Sequence, residues 1–253
     1  MSNFLEKAAL VTGGGTGIGR ATALDFANKG ARVAVADVDT KEGEHTVELI
    51  KKPGGQAIFI HADVAKASDC EHMVAKTVEA FGRLDFACNN AGIGGTSASI
   101  AEMTAEDWQN VISVNLSGVF FSMKYEIPAL LKTGGGAIVN MASILGQVGF
   151  ANAAAYVAAK HGVLGLTKVA ALEYAAQSVR VNAVCPGFIL TPMLERAGIT
   201  SNEGMRKHIE GLHPIGRMGT PEEIAKAVTF LCSADAAFIH GEALLVDGAY
   251  VAR

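Results

Sequence analysis

The chain has 253 residues, of which 50% are hydrophobic and 18% charged, and its formal net charge is -4. That balance excludes a disordered chain and fits one large unit built around a substantial core. No lysine- or arginine-rich run is present, so the electrostatic footprint of a nucleic-acid binder is missing.

No stretch reaches the roughly 18 uninterrupted apolar residues of a membrane span. The N-terminal segment "MSNFLEKAALVTGGG" lacks the basic start and long apolar centre of a secretory signal. Cys70, Cys88, Cys185 and Cys232 form no CxxC pair, which predicts buried free thiols in a reducing compartment. The seven histidines are scattered, and no metal site is assigned. A cytoplasmic protein is expected, with no nucleic-acid or membrane partner.

In chain order, "KAALVTG" reads as a strand and "GIGRATALDFANKG" as a helix ended by Gly30. "ARVAVAD" is a second strand, residues 40–51 a helix, and "AIFIHAD" a third strand after the turn "KPGG". Ser68 and Glu71 have the spacing of a capping box and predict the start of the next helix, which stops near Gly82. "RLDFACNN" is the fourth strand. A long helical pattern starts at Thr104, with Asp107 as a second cap. "GAIVNMAS" is a strand, residues 152–177 a helix, and "VRVNAVCPG" a strand. Thr220, Pro221 and Glu223 mark the start of another helix, and "EALLVDG" is the last strand.

Seven continuous apolar strands separated by helices predict an α/β fold. It is a single doubly wound, parallel, seven-stranded sheet of Rossmann-like type, with helices on both faces. No linker or repeat interrupts it, so residues 1–253 read as one domain. Residues 188–215 break the rhythm, and an insertion of that length suggests a lid over a binding site.

The segment "VTGGGTGIGR" leaves the first strand and opens the first helix. GxGxxG does not fit in register; T-G-x-x-x-G-x-G does, with Gly13, Gly17 and Gly19. Glycines there permit a tight turn and close approach of a phosphate to backbone N–H groups at a helix N-terminus. Asp37, twenty residues past Gly17, ends the second strand, where a carboxylate can accept the adenosine ribose hydroxyls. The 2′-phosphate of NADP carries about -1.5 to -2 charge. Two unit charges about 4 Å apart repel by roughly 4 kcal/mol at an effective dielectric near 20, so Asp37 selects NAD. Arg20 lies inside the first helix and could offset this only if it pointed toward the same phosphate.

Tyr156 and Lys160 lie four apart in "AAYVAAKHG". Alone, that pair fits an ordinary helix stripe as well as a catalytic phenol beside an ammonium. Set with the other motifs, it resembles the Tyr-x-x-x-Lys of the short-chain dehydrogenase/reductase family, and the resemblance runs along essentially the whole chain. "TGGGTGIG", including Thr16 and Ile18, is similar to the family's cofactor loop. "NNAG", Asn89 to Gly92, is similar to its motif after the fourth strand, and "PGFILT", Pro186 to Thr191, to its nicotinamide-carboxamide segment. Ser143 stands thirteen residues before Tyr156, and Asn115 stands where the family has its catalytic asparagine.

The resemblance implies NAD as cofactor and catalysis by Asn115, Ser143, Tyr156 and Lys160. It implies cofactor contacts from Gly13, Thr16, Gly17, Ile18, Gly19, Asp37, Asp63, Val64, Asn90, Ala91, Gly92, Pro186, Gly187, Ile189 and Thr191, with Tyr156 and Lys160 contributing. Asp63 and Val64 would meet the adenine. A homotetramer packed through helices around 105–132 and 152–177 is also implied.

A phenol with an ordinary pKa near 10 needs roughly 4 kcal/mol of preference for phenolate to act as a base at neutral pH. Lys160 one helical turn away, with the positive nicotinamide, is expected to supply it. Tyr156 then takes the hydroxyl proton of a secondary alcohol while Ser143 hydrogen-bonds the same oxygen, and Asn115 holds a relay water. Ile144, Leu145, Val148, Phe150, Met193, Leu194 and Met205 are candidate walls of an apolar pocket. Arg196, Arg206 and Lys207 would meet an anionic substrate group or face solvent. Two other readings share the fold: a 3-oxoacyl-[acyl-carrier-protein] reductase, and a dinucleotide sensor without catalysis.

Overall fold

The computed structural model describes residues 4–252. The chain alternates strands and helices. β1 (Ala8–Thr12), α1 (Gly17–Asn28), β2 (Arg32–Asp37), α2 (Thr40–Lys51), β3 (Ala57–His61), α3 (Ala67–Phe81) and β4 (Phe86–Asn89) come first. α4 (Ala105–Ile112), α5 (Gly118–Lys132), β5 (Gly136–Met141), α6 (Ala154–Tyr174) and β6 (Val179–Pro186) follow. α7 (Pro192–Arg196), α8 (Glu203–Gly211), α9 (Pro221–Cys232) and β7 (Ala243–Val246) complete it.

The seven strands form one sheet in the order β3-β2-β1-β4-β5-β6-β7, and every adjacent pair is parallel. Strand side chains alternate between the two faces with period 2. Leu10, Ala34, Ala87, Ile138 and Val181 therefore pack with Met73, Met123, Leu130 and Val163 of α3, α5 and α6. Val11, Val33, Val35, Cys88 and Val139 pack with Phe26, Ile50, Ile224 and Val228 of α1, α2 and α9. Burial on both faces is why these strands read as continuous apolar runs. All four cysteines are buried free thiols.

The chain winds outward from β1 to β3 and then resumes on the other side of β1 with β4. That reversal opens a crevice at the carboxyl ends of β1 and β4. The glycine segment 13–19 leaves β1 at this point and residues 90–92 leave β4.

Four local expectations need correction. Ser68 does not cap α3: Lys66 takes the cap position, and Ser68 lies in the first turn. The Asp69 carboxylate reaches back to the Asp63 N–H at 3.0 Å, which starts the helix one turn position earlier. The 105–132 pattern is interrupted at Ser113–Ser117 by a π-turn, and the last residues of 152–177 form a 3₁₀ turn rather than α-helix. The insertion is not a plain loop, since α7 and α8 form within it; Asn202 caps α8 by accepting the Met205 N–H at 3.0 Å. At Thr104 and Thr220 the predicted caps form: Thr104 Oγ1 accepts the Asp107 N–H at 3.0 Å, and the Glu223 carboxylate accepts the Thr220 N–H at 2.9 Å.

Under the crevice lies a buried polar chain. Asn89 Nδ2 donates to Glu126 Oε2 and to Asn140 Oδ1, both at 3.0 Å, and Asn140 Nδ2 donates to Thr167 Oγ1 at 3.0 Å. It ties β4 and β5 to α5 and α6. Burial pushes the Glu126 carboxyl up to about 7, with the Asn89 bond acting the other way. The folded state therefore holds a proton that the unfolded chain releases near the ordinary carboxyl value. This contribution is complete below about pH 4.5 and is lost as pH rises through about 7. Glu126→Gln keeps an acceptor for Asn89 without the titration. Chemical denaturation from pH 5 to 9 should show the wild type losing up to roughly 3 kcal/mol that the variant retains. An identical slope in both proteins would contradict this.

Candidate active site

The glycine turn is held by side chains from β1 and the β4 end. Thr12 Oγ1 accepts the N–H groups of Asn90 and Ala91 at 3.0 and 3.1 Å. Asn90 Nδ2 donates to the carbonyls of Thr12 and Gly13 at 3.0 and 3.1 Å. Gly13 has φ +60, and a Cβ there would lie 2.8 Å from the Ala91 Cα. A Cβ on Gly19 would overlap the Gly13 carbonyl. Both glycines are thus required by the chain's own packing before any ligand is considered. Thr16 caps α1 without a side-chain bond, and the first turn carries no acidic residue. The N–H groups of that turn, with Ile18 among them, thus face the crevice with the positive end of the helix dipole.

Asp37 Oδ2 accepts the Gly15 N–H at 2.8 Å and Oδ1 accepts the Asp39 N–H at 2.9 Å. Arg20 does not offset it. Its guanidinium pairs with Glu42 Oε2 at 2.6 Å, donates to Thr46 Oγ1 at 3.0 Å and bonds the Gly15 carbonyl. Beyond β3, Asp63 Oδ1 accepts the Ala65 N–H. Val64 is buried against Gly118.

On the other side, Pro186 ends β6 and Gly187 N–H bonds the Val246 carbonyl at 3.1 Å. Ile189 bridges to Gly219. The bridge uses the Phe188 carbonyl and the Leu190 N–H, so Ile189's own N–H and carbonyl point away from Gly219. Its side chain is buried in the core. Thr191 comes next to the glycine loop: a Cβ on Gly17 would sit 3.3 Å from its Cγ2. Gly92 is set beside the Asn115 amide.

Ser143, at the end of β5, is buried, and its Oγ accepts the Leu145 N–H at 3.1 Å. Tyr156, on α6, is half-buried and hydrogen-bonds the Ser143 side chain. Lys160 is 3% exposed. Its Nζ donates to the Met141 carbonyl at 2.7 Å and lies 5.5 Å from the centre of the Tyr156 ring. Burial lowers the Lys160 ammonium to about 8.

Burial pushes the Tyr156 phenol up, with the Ser143 hydroxyl acting in the opposite direction. The Asn115 side chain is held by Ile93: Oδ1 accepts the Ile93 N–H and Nδ2 donates to the Ile93 carbonyl, both at 2.8 Å. Asn115 sits inside the π-turn, where the i→i+4 ladder is broken and carbonyls are released from it.

Among the expected pocket walls, Ile144 and Leu145 are buried in the body, while Phe150 and Met205 remain exposed. Arg206 and Lys207 pair with Glu210 and Glu203 on α8, which makes them parts of the helix surface. Sequence reasoning missed Phe188, whose ring lies 6.1 Å from Phe150 and 6.1 Å from Tyr250. It also missed Thr12 and the buried His213. Thr12 was visible as the residue before the first glycine; the other two carry no local signal.

The family model described as enoyl-(acyl carrier protein) reductase matches residues 13–250. A cyclohexanol dehydrogenase of Acinetobacter sp. (strain SE19) is 48% identical over 254 residues, covering 100% of this chain and 98% of that one. The crystal structure of levodione reductase superposes with a TM-score of 0.93 at 37% identity, covering 99% of each chain. A crystal structure named for a 2-deoxy-d-gluconate 3-dehydrogenase from Agrobacterium tumefaciens, with bound NADP, superposes with a TM-score of 0.90 at 38% identity, covering 99% of this chain and 98% of that one. With the fold, the motif positions and these matches agreeing along its length, the chain belongs to the short-chain dehydrogenase/reductase family, and it is an oxidoreductase that interconverts secondary alcohols and ketones.

Proposed function

We propose that the chain is an NAD-dependent dehydrogenase of apolar, alicyclic secondary alcohols, with Tyr156 as its acid-base group. The observation that carries this reading is the buried Lys160 ammonium 5.5 Å from the centre of the Tyr156 ring, where the Ser143 hydroxyl favours the phenolate. The crevice suits a dinucleotide: Gly13 leaves no room for a Cβ, and the α1 N-terminus lacks a side-chain cap. Gly13, Thr16, Gly17, Ile18 and Gly19 would hold the pyrophosphate, Asp37 the adenosine ribose, Asp63 and Val64 the adenine, and Asn90, Ala91 and Gly92 the cleft wall. Pro186, Gly187, Ile189 and Thr191 would hold the carboxamide, Ile189 and Thr191 through backbone groups. When bound, the oxidised nicotinamide supplies a hydride acceptor and a positive charge.

Tyr156 accepts the substrate hydroxyl proton at its phenol oxygen, and Ser143 Oγ steadies the same substrate oxygen as charge develops. Lys160 keeps a cation beneath the ring below about pH 8, and the proton leaves toward solvent past the π-turn carbonyls around Asn115. Because burial holds the phenol above its ordinary value, the base form gains population as pH rises. Alcohol oxidation should therefore climb between about pH 7 and about pH 10, while ketone reduction falls. Val148, Phe150, Phe188, Met193 and Leu194 offer apolar surface near the pair. That surface and the cyclohexanol dehydrogenase relative support a cyclic substrate.

The chain is best read as one catalytic domain, with residues 188–215 closing over the substrate. Exposed Phe120 (48%), Val169 (52%) and Leu172 (85%) on α5 and α6 support a homotetramer through those helices. No helix among the described residues is long and apolar enough to cross a membrane.

Two measurements test the reading. Tyr156→Phe should bind NAD nearly as the wild type does while turnover of cyclohexanol falls at least about a thousandfold, because the proton acceptor is gone; surviving turnover removes Tyr156 from the mechanism. Cyclic, linear and steroid alcohols, assayed by reduced-nicotinamide absorbance, should favour NAD over NADP by more than about tenfold in kcat/KM. Asp37→Ala should shrink that ratio, and a wild type that prefers NADP would reverse the assignment of Asp37.

A further inference from the structure

His213 follows α8 in "GLHPIGR" and is 3% exposed. Its Nδ1 lies 2.9 Å from the Ile209 carbonyl. A carbonyl only accepts, so Nδ1 carries the hydrogen and Nε2 is left as an acceptor. Nε2 takes the Phe188 N–H at 3.1 Å. It lies so close to the chain that a Cβ on Gly187 would sit 2.8 Å from it. The ring meets Phe188 edge-on at 5.8 Å and Tyr250 at 5.3 Å. One imidazole thus joins the base of α8, the segment after β6 and the C-terminal turn. The charged groups around it are engaged elsewhere: Asp247 accepts the Ala249 and Val251 N–H groups, and Arg217 pairs with Glu223.

We infer that His213 is a positioning residue for the dinucleotide, acting through its Nε2 acceptor on Phe188 to fix the backbone of Ile189 and Thr191. This rests on the cofactor reading above. The reasoning is geometric. Phe188 directly precedes Ile189, whose N–H and carbonyl turn away from the Gly219 bridge. Without an acceptor, the Phe188 N–H is an unsatisfied group in a largely closed site. The peptide then turns to find a partner and strains the next one, whose Phe188 carbonyl is bonded to the Gly219 N–H and whose Ile189 N–H is offered to the cofactor. The lid helix is bound to the same imidazole, so lid and cofactor segment share one anchor.

Three variants separate this role from plain packing. His213→Phe preserves the ring contacts with Phe188 and Tyr250 but has no acceptor. His213→Gln places a carbonyl oxygen near the Nε2 position. His213→Ala removes both. Calorimetric titration with NAD should show affinity falling about tenfold or more in the Phe and Ala variants, which corresponds to roughly 1.4 kcal/mol. The Gln variant should stay within about threefold of the wild type, with the KM for NAD following Kd and kcat changing less. Melting temperatures are measured on the same samples. Wild-type affinity in the Phe variant overturns the proposal. So does a loss in Phe and Gln alike that tracks their melting temperatures, which would mark the imidazole as structural only. If the wild type itself binds neither NAD nor NADP, the cofactor reading fails instead.

Discussion

The arrangement depends on one hydrogen-bonded clasp at the point where the sheet reverses direction. The Asn90 amide donates to the Thr12 and Gly13 carbonyls while Thr12 Oγ1 accepts from the Asn90 and Ala91 backbone. The segments that follow the parallel strands β1 and β4 lead to helices on opposite faces of the sheet, and the clasp ties them together where they part. The clasp holds the glycine turn against β4 and so sets the height of the α1 N-terminus above the crevice. Every later distance in the site, from Asp37 to Thr191, is measured from that turn.

Behind the clasp, polar groups are buried where an apolar core would pack as well. Asn89, Glu126, Asn140 and Thr167 cross the layer between β4, β5, α5 and α6. Such a network costs desolvation, and its directional bonds fix register where apolar contacts allow sliding. Register matters here because Ser143 follows two residues after the end of β5 and α6 carries Tyr156 and Lys160. A shift of one residue along β5 would turn Ser143 to the opposite face of the sheet. The network thus lies between the core and the chemistry.

The catalytic group itself shows a division of labour. Burial disfavours both the phenolate of Tyr156 and the ammonium of Lys160. The protein holds the two groups in place with Ser143 and Met141.

The architecture was legible from the residues because its causes are local. Continuous apolar strands, glycine at the first turn and caps at Thr104 and Thr220 act over a few positions, and the order of motifs marked the site residues. Ser68 is not the cap because the helix begins two residues earlier, with Lys66 at the cap position, which the spacing of Ser68 and Glu71 does not reveal. Spacing put Lys160 one helical turn from Tyr156; only the folded chain shows that its ammonium also bonds the Met141 carbonyl. The amide of Asn115 is likewise claimed by Ile93, twenty-two residues distant. Sequence by itself determined the strand and helix order and where the glycine turn falls, since spacing and side-chain chemistry are properties of the chain. Tertiary structure decided how each side chain is used, including His213 beneath Phe188, because burial and hydrogen-bond partners arise only when distant segments meet.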